Sequence, residues 1–223
     1  MNVIEYPDRE LAAIDVADVL ASDLKTALLT HNRVSFAVPG GGTPGPIFSV
    51  LCAADLDWAR VCVLPTDERF VPADHPRSNA LLIRERLLQD RAAGAQFLSL
   101  TGDATTPEDA AAKQGARVAQ HLPISLTMLG MGTDMHTASL FPGAPGLAEG
   151  LAADAPPLVV TQPASQPEAR LSLSAPVLNG AISKHLVIFG ADKRAALEQA
   201  MHSAPEAAPI RAVLVGAMVH YAD

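Results

Sequence analysis

Charged residues, cysteines and long apolar runs are all scarce in this chain of 223 residues. Only 18% of the residues are charged against 49% apolar, which excludes a disordered or fibrous protein. The only cysteines are Cys52 and Cys62, too few for a disulfide framework, so a reducing compartment is indicated. No apolar run approaches membrane-spanning length, and the first residues lack the basic and apolar regions of a signal peptide. We therefore expect a cytoplasmic protein that does not enter a membrane.

The charge balance is acidic, with 16 basic against 24 acidic residues and a formal net charge of −8. Such a protein repels phosphate backbones at long range, which argues against nucleic-acid partners and anionic membranes. It does not argue against a small anionic substrate, because a pocket can be locally positive. The oligomeric state expected from the sequence is a monomer or a weak homodimer.

Short apolar runs alternate with helical segments along the chain, a pattern typical of a parallel sheet covered by helices. The predicted strands are 2–6, 33–40, 60–69, 95–100, 124–132, 157–162, 169–174 and 184–190. The predicted helices are 8–29, a segment from Pro44, 78–89, 107–121, 175–181 and 192–201. No internal repeat or linker divides the chain. We predict an α/β fold in which residues 1–223 form a single domain, with a mostly parallel sheet and helices on both faces.

Four polar or glycine-rich clusters follow predicted strands, where α/β proteins gather their functional groups. The first is Gly40, Gly41, Gly42 and Thr43, between a strand and a helix that begins near Pro44. Glycines let backbone N–H groups approach an anion, and the helix N-terminus adds a favourable dipole. A phosphate-binding loop is favoured over a flexible turn, although the P-loop and dinucleotide motifs are both absent.

The second cluster contains Asp67, Glu68 and Arg69, with Arg77 eight residues further on. The two arginines are suited to an anionic or carbonyl-bearing ligand, because a guanidinium donates in a planar fork. A solvated group of salt bridges is the alternative. His75, next to a proline, is more typical of a residue that orders a loop.

The third cluster, "LGMGTDMHTASLFPG" (129–143), places Asp134 two residues before His136 in a glycine-rich turn. A neutral imidazole can accept a proton from water, and a carboxylate can orient it and stabilise the imidazolium. An ordinary surface histidine is the alternative. A zinc site has too few ligands in a known spacing, and a serine hydrolase acting through Ser139 lacks the "GxSxG" turn.

The fourth cluster combines Gly190 with Lys193 in the first turn of a predicted helix, and a separate strand starts near Arg170. A lysine in a first helical turn opposes the helix dipole, which suggests an anionic ligand as its reason for being there. An ordinary exposed lysine is the alternative.

Together these motifs resemble the 6-phosphogluconolactonase family, within the wider superfamily of glucosamine-6-phosphate deaminases and sugar-phosphate isomerases. The matching pieces occur in the family's order: "GGGTP", "DERFVP", "HPRSN", "LGMGTDMHTASLFPG", "RLSLSAPVLN" and "FGADK". The resemblance implies a Rossmann-like domain that hydrolyses 6-phospho-D-glucono-1,5-lactone in the pentose phosphate pathway, without a cofactor or a metal.

The resemblance also implies a role for each matching residue. His136, oriented by Asp134, would be the general base, and Arg69 would offset charge on the lactone carbonyl. Arg77 would bind nearby, and Asp67 matches a catalytic acid of the related deaminases. The residues expected to bind the phosphate are Gly40, Gly41, Gly42, Thr43, Arg170 and Lys193.

Two other functions fit the same superfamily. Deaminases continue from their Asp-Gly-His motif to an Asn-Glu pair, whereas this chain has Phe141 at the position of that glutamate, which favours the lactonase. A non-catalytic sugar-phosphate sensor would usually carry a DNA-binding segment, for which there is no room before the first strand.

Two positions depart from the family pattern. Pro39 and Gly42 replace variable polar residues of the first loop, which removes a side-chain donor but leaves the backbone amides. Met135 stands where the family usually has glycine. If that position requires positive φ, Met135 is strained or the turn around His136 differs.

Overall fold

The computed structural model describes residues 2–164 and 166–223, and this part of the chain contains ten strands and seven α-helices. The strands are β1 (Asn2–Glu5), β2 (Val34–Val38), β3 (Val61–Pro65), β4 (Asp67–Arg69), β5 (Gln96–Phe97), β6 (Leu126–Leu129), β7 (Leu158–Thr161), β8 (Arg170–Leu173), β9 (Ser183–Phe189) and β10 (Met218–Ala222). The α-helices are α1 (Arg9–Thr30), α2 (Pro44–Leu51), α3 (Asn79–Arg86), α4 (Pro107–Ala119), α5 (Leu147–Leu151), α6 (Ala175–Asn179) and α7 (Ala191–Ala200).

Seven strands form the main sheet, in the order β1-β10-β9-β6-β2-β3-β5, and every neighbouring pair is parallel. The predicted α/β fold with a mostly parallel sheet is therefore confirmed. The sheet also contains β10, which the sequence did not predict. It is a short strand with His220 in its middle, and it is buried between β1 and β9.

A second, antiparallel sheet has the order β4-β8-β7. The segment 60–69, predicted as one strand, divides between the two sheets at Thr66. The Thr66 N–H donates to the carbonyl of Val38 in the main sheet at 2.8 Å, and its own carbonyl accepts from the Leu173 N–H of the second sheet at 2.9 Å. This crossing places Asp67 and Arg69 beyond the end of β3.

Helices cover both faces of the main sheet, as predicted. Alternate residues of β3 point to opposite faces: Val61 and Val63 pack with α1, α2 and α3, whereas Cys62 and Leu64 pack with α4, α6 and α7. Both faces are apolar, which explains why the strands of a parallel sheet appear as continuous apolar runs.

Local signals fix the starts of several helices. Asp8 caps α1 by accepting from the Leu11 N–H at 2.8 Å, and Ser78 caps α3 by accepting from the Leu81 N–H at 3.2 Å. Pro44 is the first residue of α2, where its missing N–H costs nothing. In the part of the chain that the structure covers, none of the helices has both the length and the apolar character needed to cross a bilayer.

Candidate active site

A cavity of about 290 Å³ opens at the carboxyl ends of the parallel strands. The four predicted clusters meet here, because the ends of parallel strands lie along one edge of the sheet. The predicted site residues that line the cavity are Gly40, Gly41, Gly42, Thr43, Asp67, Arg69, His136, Arg170 and Lys193. These residues come from five separate stretches of the sequence.

Asp134 lies behind His136 and orients it. The Oδ1 atom of Asp134 is 2.5 Å from Nδ1 of His136 and also accepts from the His136 backbone N–H at 3.3 Å. This hydrogen bond is the main reason that the pKa of Asp134 is lowered. An ionised carboxylate only accepts, so Nδ1 carries a proton, and in the neutral ring Nε2 then presents its lone pair. Within the described residues Nε2 has no hydrogen-bond partner, so it is free to accept a proton.

The turn that holds this pair is tight. A side chain at residue 132 would collide with it, because a Cβ on Gly132 would lie 2.3 Å from Nδ1 of His136. The Gly132 N–H donates to the His136 carbonyl at 3.1 Å, and the Met135 N–H donates to the Gly132 carbonyl at 3.0 Å. Met135 has φ of +65°, in the left-handed region where a side chain is strained. A methionine thus occupies a left-handed position that suits glycine.

Asp67 is buried at the wall of the cavity, only 6% exposed. Its carboxylate accepts from the hydroxyl of Ser139 at 2.6 Å and from that of Thr66 at 3.2 Å. Its backbone carbonyl accepts from the Asn79 side chain at 2.8 Å. These contacts fix the carboxylate, which retains lone pairs for a ligand hydroxyl.

Glu68, the other member of the acid pair, has a structural role. Its carboxylate accepts from the N–H groups of Asn79 and Ala80 at 2.7 Å each and from that of Arg69 at 2.8 Å. Burial raises its pKa, and the three backbone donors oppose that effect. Glu68 thus joins the N-terminus of α3 to β4, and the alternative of a solvated salt-bridge group is wrong for this residue.

Arg69 and Arg170 form a buried cationic wall. The Nε atoms of both are buried, and neither has a hydrogen-bond partner in residues 2–164 and 166–223. Burial lowers the pKa of Arg170, and the charge of Arg69 lowers it further. Gln166 accepts from Nη2 of Arg170 at 2.8 Å, which fixes one end of that guanidinium. Guanidinium groups with unused donors are suited to an anion, so this wall is a candidate anion site.

The glycine loop and Lys193 supply a second group of donors. The backbone N–H groups of residues 40–43 donate to no acceptor in the described part of the chain, and they precede the N-terminus of α2. Lys193 is half-buried, and its pKa is lowered chiefly by burial and then by the charge of Arg9. A bound anion would stabilise both groups.

Arg77 has a different environment. Its guanidinium donates to Gln166 at 2.9 Å and pairs with Glu168 at 3.0 Å, while its carbonyl accepts from the Arg69 side chain. Among the described residues, it is not part of the cavity lining. Its contact with a ligand stays a prediction. The neighbouring His75 accepts from the Arg77 backbone N–H at 3.1 Å, which orders the loop as expected.

Four residues of the site were not predicted from the sequence: Asn79, Ser139, Phe141 as a contact of His136, and Gln166. The first three lie within the motifs that carry the family resemblance, so those motifs could have identified them as site residues. Gln166 follows β7 in a stretch without a motif. No three His, Cys, Asp or Glu side chains of the described residues are grouped as a metal ion would require.

Comparisons with known proteins agree with this geometry. Residues 7–220 match a family described as glucosamine-6-phosphate isomerases/6-phosphogluconolactonase. The 6-phosphogluconolactonase of Rhizobium meliloti is 41% identical over 217 residues, covering 96% of this chain and 93% of the relative. That of Mesorhizobium japonicum is 42% identical over 213 residues, covering 94% and 88%. The crystal structure of a 6-phosphogluconolactonase from Shewanella baltica superposes with a TM-score of 0.96 at 32% identity, covering 100% and 98%.

Proposed function

Because this chain belongs to the family of glucosamine-6-phosphate isomerases and 6-phosphogluconolactonases, we propose that it hydrolyses 6-phospho-D-glucono-1,5-lactone to 6-phospho-D-gluconate, in the pentose phosphate pathway. The observation that carries the proposal is the arrangement of one cavity: a histidine with a free Nε2 faces the same space as Arg69, Arg170, Lys193 and the glycine loop. The reaction needs a base for water and cations for a phosphate, and no cofactor.

His136 is the general base. Its Nε2 takes a proton from water as the water oxygen attacks the lactone carbonyl carbon, which gives a tetrahedral oxyanion and an imidazolium. Asp134 stabilises the imidazolium through Nδ1. The bond between the carbonyl carbon and the ring oxygen then breaks, and the imidazolium returns the proton to that oxygen. One water is consumed, and the product is an open-chain acid that ionises in solution.

The cationic side chains of the cavity act at two ends of the substrate, the lactone and the phosphate. Arg69, beside Asp67, offsets the charge that develops on the lactone oxygen. Arg170, Lys193 and the amides of the glycine loop with Thr43 hold the phosphate. Asp67, fixed by Ser139, accepts from a substrate hydroxyl. Arg77 acts one step away, because its carbonyl holds the Arg69 side chain.

The main alternative is a deaminase or isomerase reaction on an amino-sugar phosphate. That chemistry needs an acid at residue 141, and this chain has Phe141 there, against the ring of His136. A sensor without activity would have no use for a base held by a carboxylate. The sugar-phosphate substrate and the two free cysteines both fit a cytoplasmic enzyme, acting as a monomer or weak homodimer.

The test is a direct assay of acid release from freshly made 6-phosphogluconolactone, above the spontaneous hydrolysis, with glucosamine 6-phosphate as the control substrate. We expect turnover of the lactone only. His136→Gln removes the base and is expected to lower kcat by about 10²–10⁴-fold. Wild-type kcat in this variant would refute the general-base assignment. Release of ammonia from glucosamine 6-phosphate would favour the alternative.

A further inference from the structure

Phe141 lies flat against the imidazole of His136. The two ring centroids are 4.0 Å apart, and the ring planes differ by only 17°. Phe141 is 8% exposed, so its own position is fixed by its surroundings. The guanidinium of Arg170 also lies over the phenyl ring, with Cζ 5.9 Å from the centroid. One buried ring therefore touches the residues proposed to act on water and on the phosphate.

The stack supplies a constraint that the Asp134 hydrogen bond does not. A hydrogen bond to Nδ1 holds one edge of the imidazole but allows the ring to tilt about that edge. A flat neighbour fixes the plane of the ring. The two constraints together fix the direction in which Nε2 points, and a base must be aimed closely at its water for efficient proton transfer.

The stack also gains strength during the reaction. A neutral imidazole gains little beyond dispersion from a parallel phenyl ring. Once His136 has taken a proton, the negative face of the Phe141 ring attracts the imidazolium. An interaction that is stronger in the transition state than in the ground state raises kcat without changing substrate binding.

We propose that Phe141 is a positioning residue of the catalytic base, which sets the plane of the His136 ring and stabilises its protonated form. The inference rests on the proposed function, in which His136 is the base. A leucine would fill much of the same volume but has no flat face. A tyrosine keeps the flat face at this position of the cavity lining.

The experiment measures kcat and KM of Phe141→Leu and Phe141→Tyr on 6-phosphogluconolactone. We expect Phe141→Leu to lower kcat about ten-fold with little change in KM, and Phe141→Tyr to restore most of it. Phe97→Leu is the matched control, because Phe97 also has an arginine over its ring, with Arg84 Cζ at 4.8 Å, but lies on β5 away from the cavity. It is expected to keep wild-type kcat.

Two further measurements separate positioning from general packing. In the proton NMR spectrum, the ring protons of His136 should be shifted upfield by Phe141 in the wild type and Phe141→Tyr, and not in Phe141→Leu. In a His136→Gln background, Phe141→Leu should cause no further loss of the residual enzymatic rate.

An equal ten-fold loss in that background, or an unchanged kcat in Phe141→Leu, would overturn the proposal. Absence of the upfield shift in the wild type would overturn it too. Failure of the proposed function has a different signature, namely no turnover of 6-phosphogluconolactone by the wild type although its His136 ring protons still show the upfield shift.

Discussion

Met135 shows how a single residue can depart from a family's pattern without displacing its neighbours. Its backbone has the left-handed conformation expected for the family's glycine, with φ of +65°. Its carbonyl accepts from the Ile210 N–H at 3.1 Å, and its side chain packs on the core. Strain of about 1–3 kcal/mol is thus opposed by packing, and His136 keeps its hydrogen bond to Asp134.

We therefore expect Met135→Gly to keep kcat within about two-fold, since it relieves strain and leaves the backbone path unchanged. Met135→Val should behave differently, because a β-branched side chain is a severe outlier at positive φ. It is expected to lose about 1–3 kcal/mol of unfolding free energy and to lower kcat by misplacing His136. Urea unfolding and steady-state kinetics of both variants check this. Equal kinetics for the two would show that the conformation of residue 135 does not control the base.

The proposed phosphate site can be tested by removing the single charge of Lys193. Lys193→Met keeps most of the side-chain length and removes the cation. We expect KM for 6-phosphogluconolactone to rise about ten-fold or more, as is typical for loss of a charged hydrogen bond. KM for unphosphorylated D-glucono-1,5-lactone should hardly change. Lys113→Met, at an exposed position paired with Asp109 at 2.8 Å, is the control. An equal rise for both lactones would place the phosphate elsewhere.

At the scale of the secondary-structure elements, the link between β4 and α3 depends on Glu68. Its carboxylate accepts three backbone N–H bonds, and two of those donors begin α3. We expect Glu68→Gln to lower the unfolding free energy by about 1–3 kcal/mol, because a buried amide group would face donors it cannot satisfy. It should also raise KM, since Arg69 and Asn79 are held by these bonds. Guanidinium unfolding and kinetics provide the measurement.

The control for this prediction is Glu85→Gln. Glu85 is an exposed acid of α3, and its substitution is expected to change the unfolding free energy by less than about 0.5 kcal/mol. An equally small change in the unfolding free energy of Glu68→Gln would show that the N-terminus of α3 does not depend on the charge of the Glu68 carboxylate.

The elements also show what could be predicted from the sequence. Apolar runs ending in glycine or acids predicted the strands and the edge where Asp67, His136 and Lys193 meet, because parallel strands align their carboxyl ends. The crossing at Thr66 could not be predicted, since it depends on hydrogen bonds to Val38 and Leu173, which are distant in sequence. For the same reason Gln166 was not predicted, because its role exists only through its contact with the arginines.

At the scale of the whole molecule, charge is unevenly distributed. The chain carries a formal charge of −8, yet its cavity is walled by Arg69, Arg170 and Lys193. An acidic surface disfavours nucleic acid, while the local cations attract a small anion. The sequence predicted that an acidic protein could have a locally positive pocket, but not the arrangement of the cations around it, because these residues are distant from one another along the chain.

A chain of hydrogen bonds links α1 to β9 and β10 of the main sheet. Asp23 accepts from Nε2 of His185 at 2.9 Å, Nδ1 of His185 is 2.9 Å from Nε2 of His220, and Nδ1 of His220 is 2.8 Å from the Tyr6 hydroxyl oxygen. The Ser183 hydroxyl also donates to Asp23. Because a carboxylate only accepts, Nε2 of His185 carries a proton.

Acid should weaken this link. Burial, and then the charge of His185, lower the pKa of His220 to about 4 from 6.5. Between these values the unfolded chain binds the proton and the folded protein does not, so stability is full above pH about 6.5 and falls as the pH drops toward 4. The loss of unfolding free energy is on the order of 3 kcal/mol.

Urea unfolding at intervals between pH 4.5 and 7.5 measures this loss. His220→Phe should flatten this dependence, whereas His202→Gln, at an exposed site, should leave it intact. The same slope in His220→Phe and in the wild type would assign the acid sensitivity to other groups.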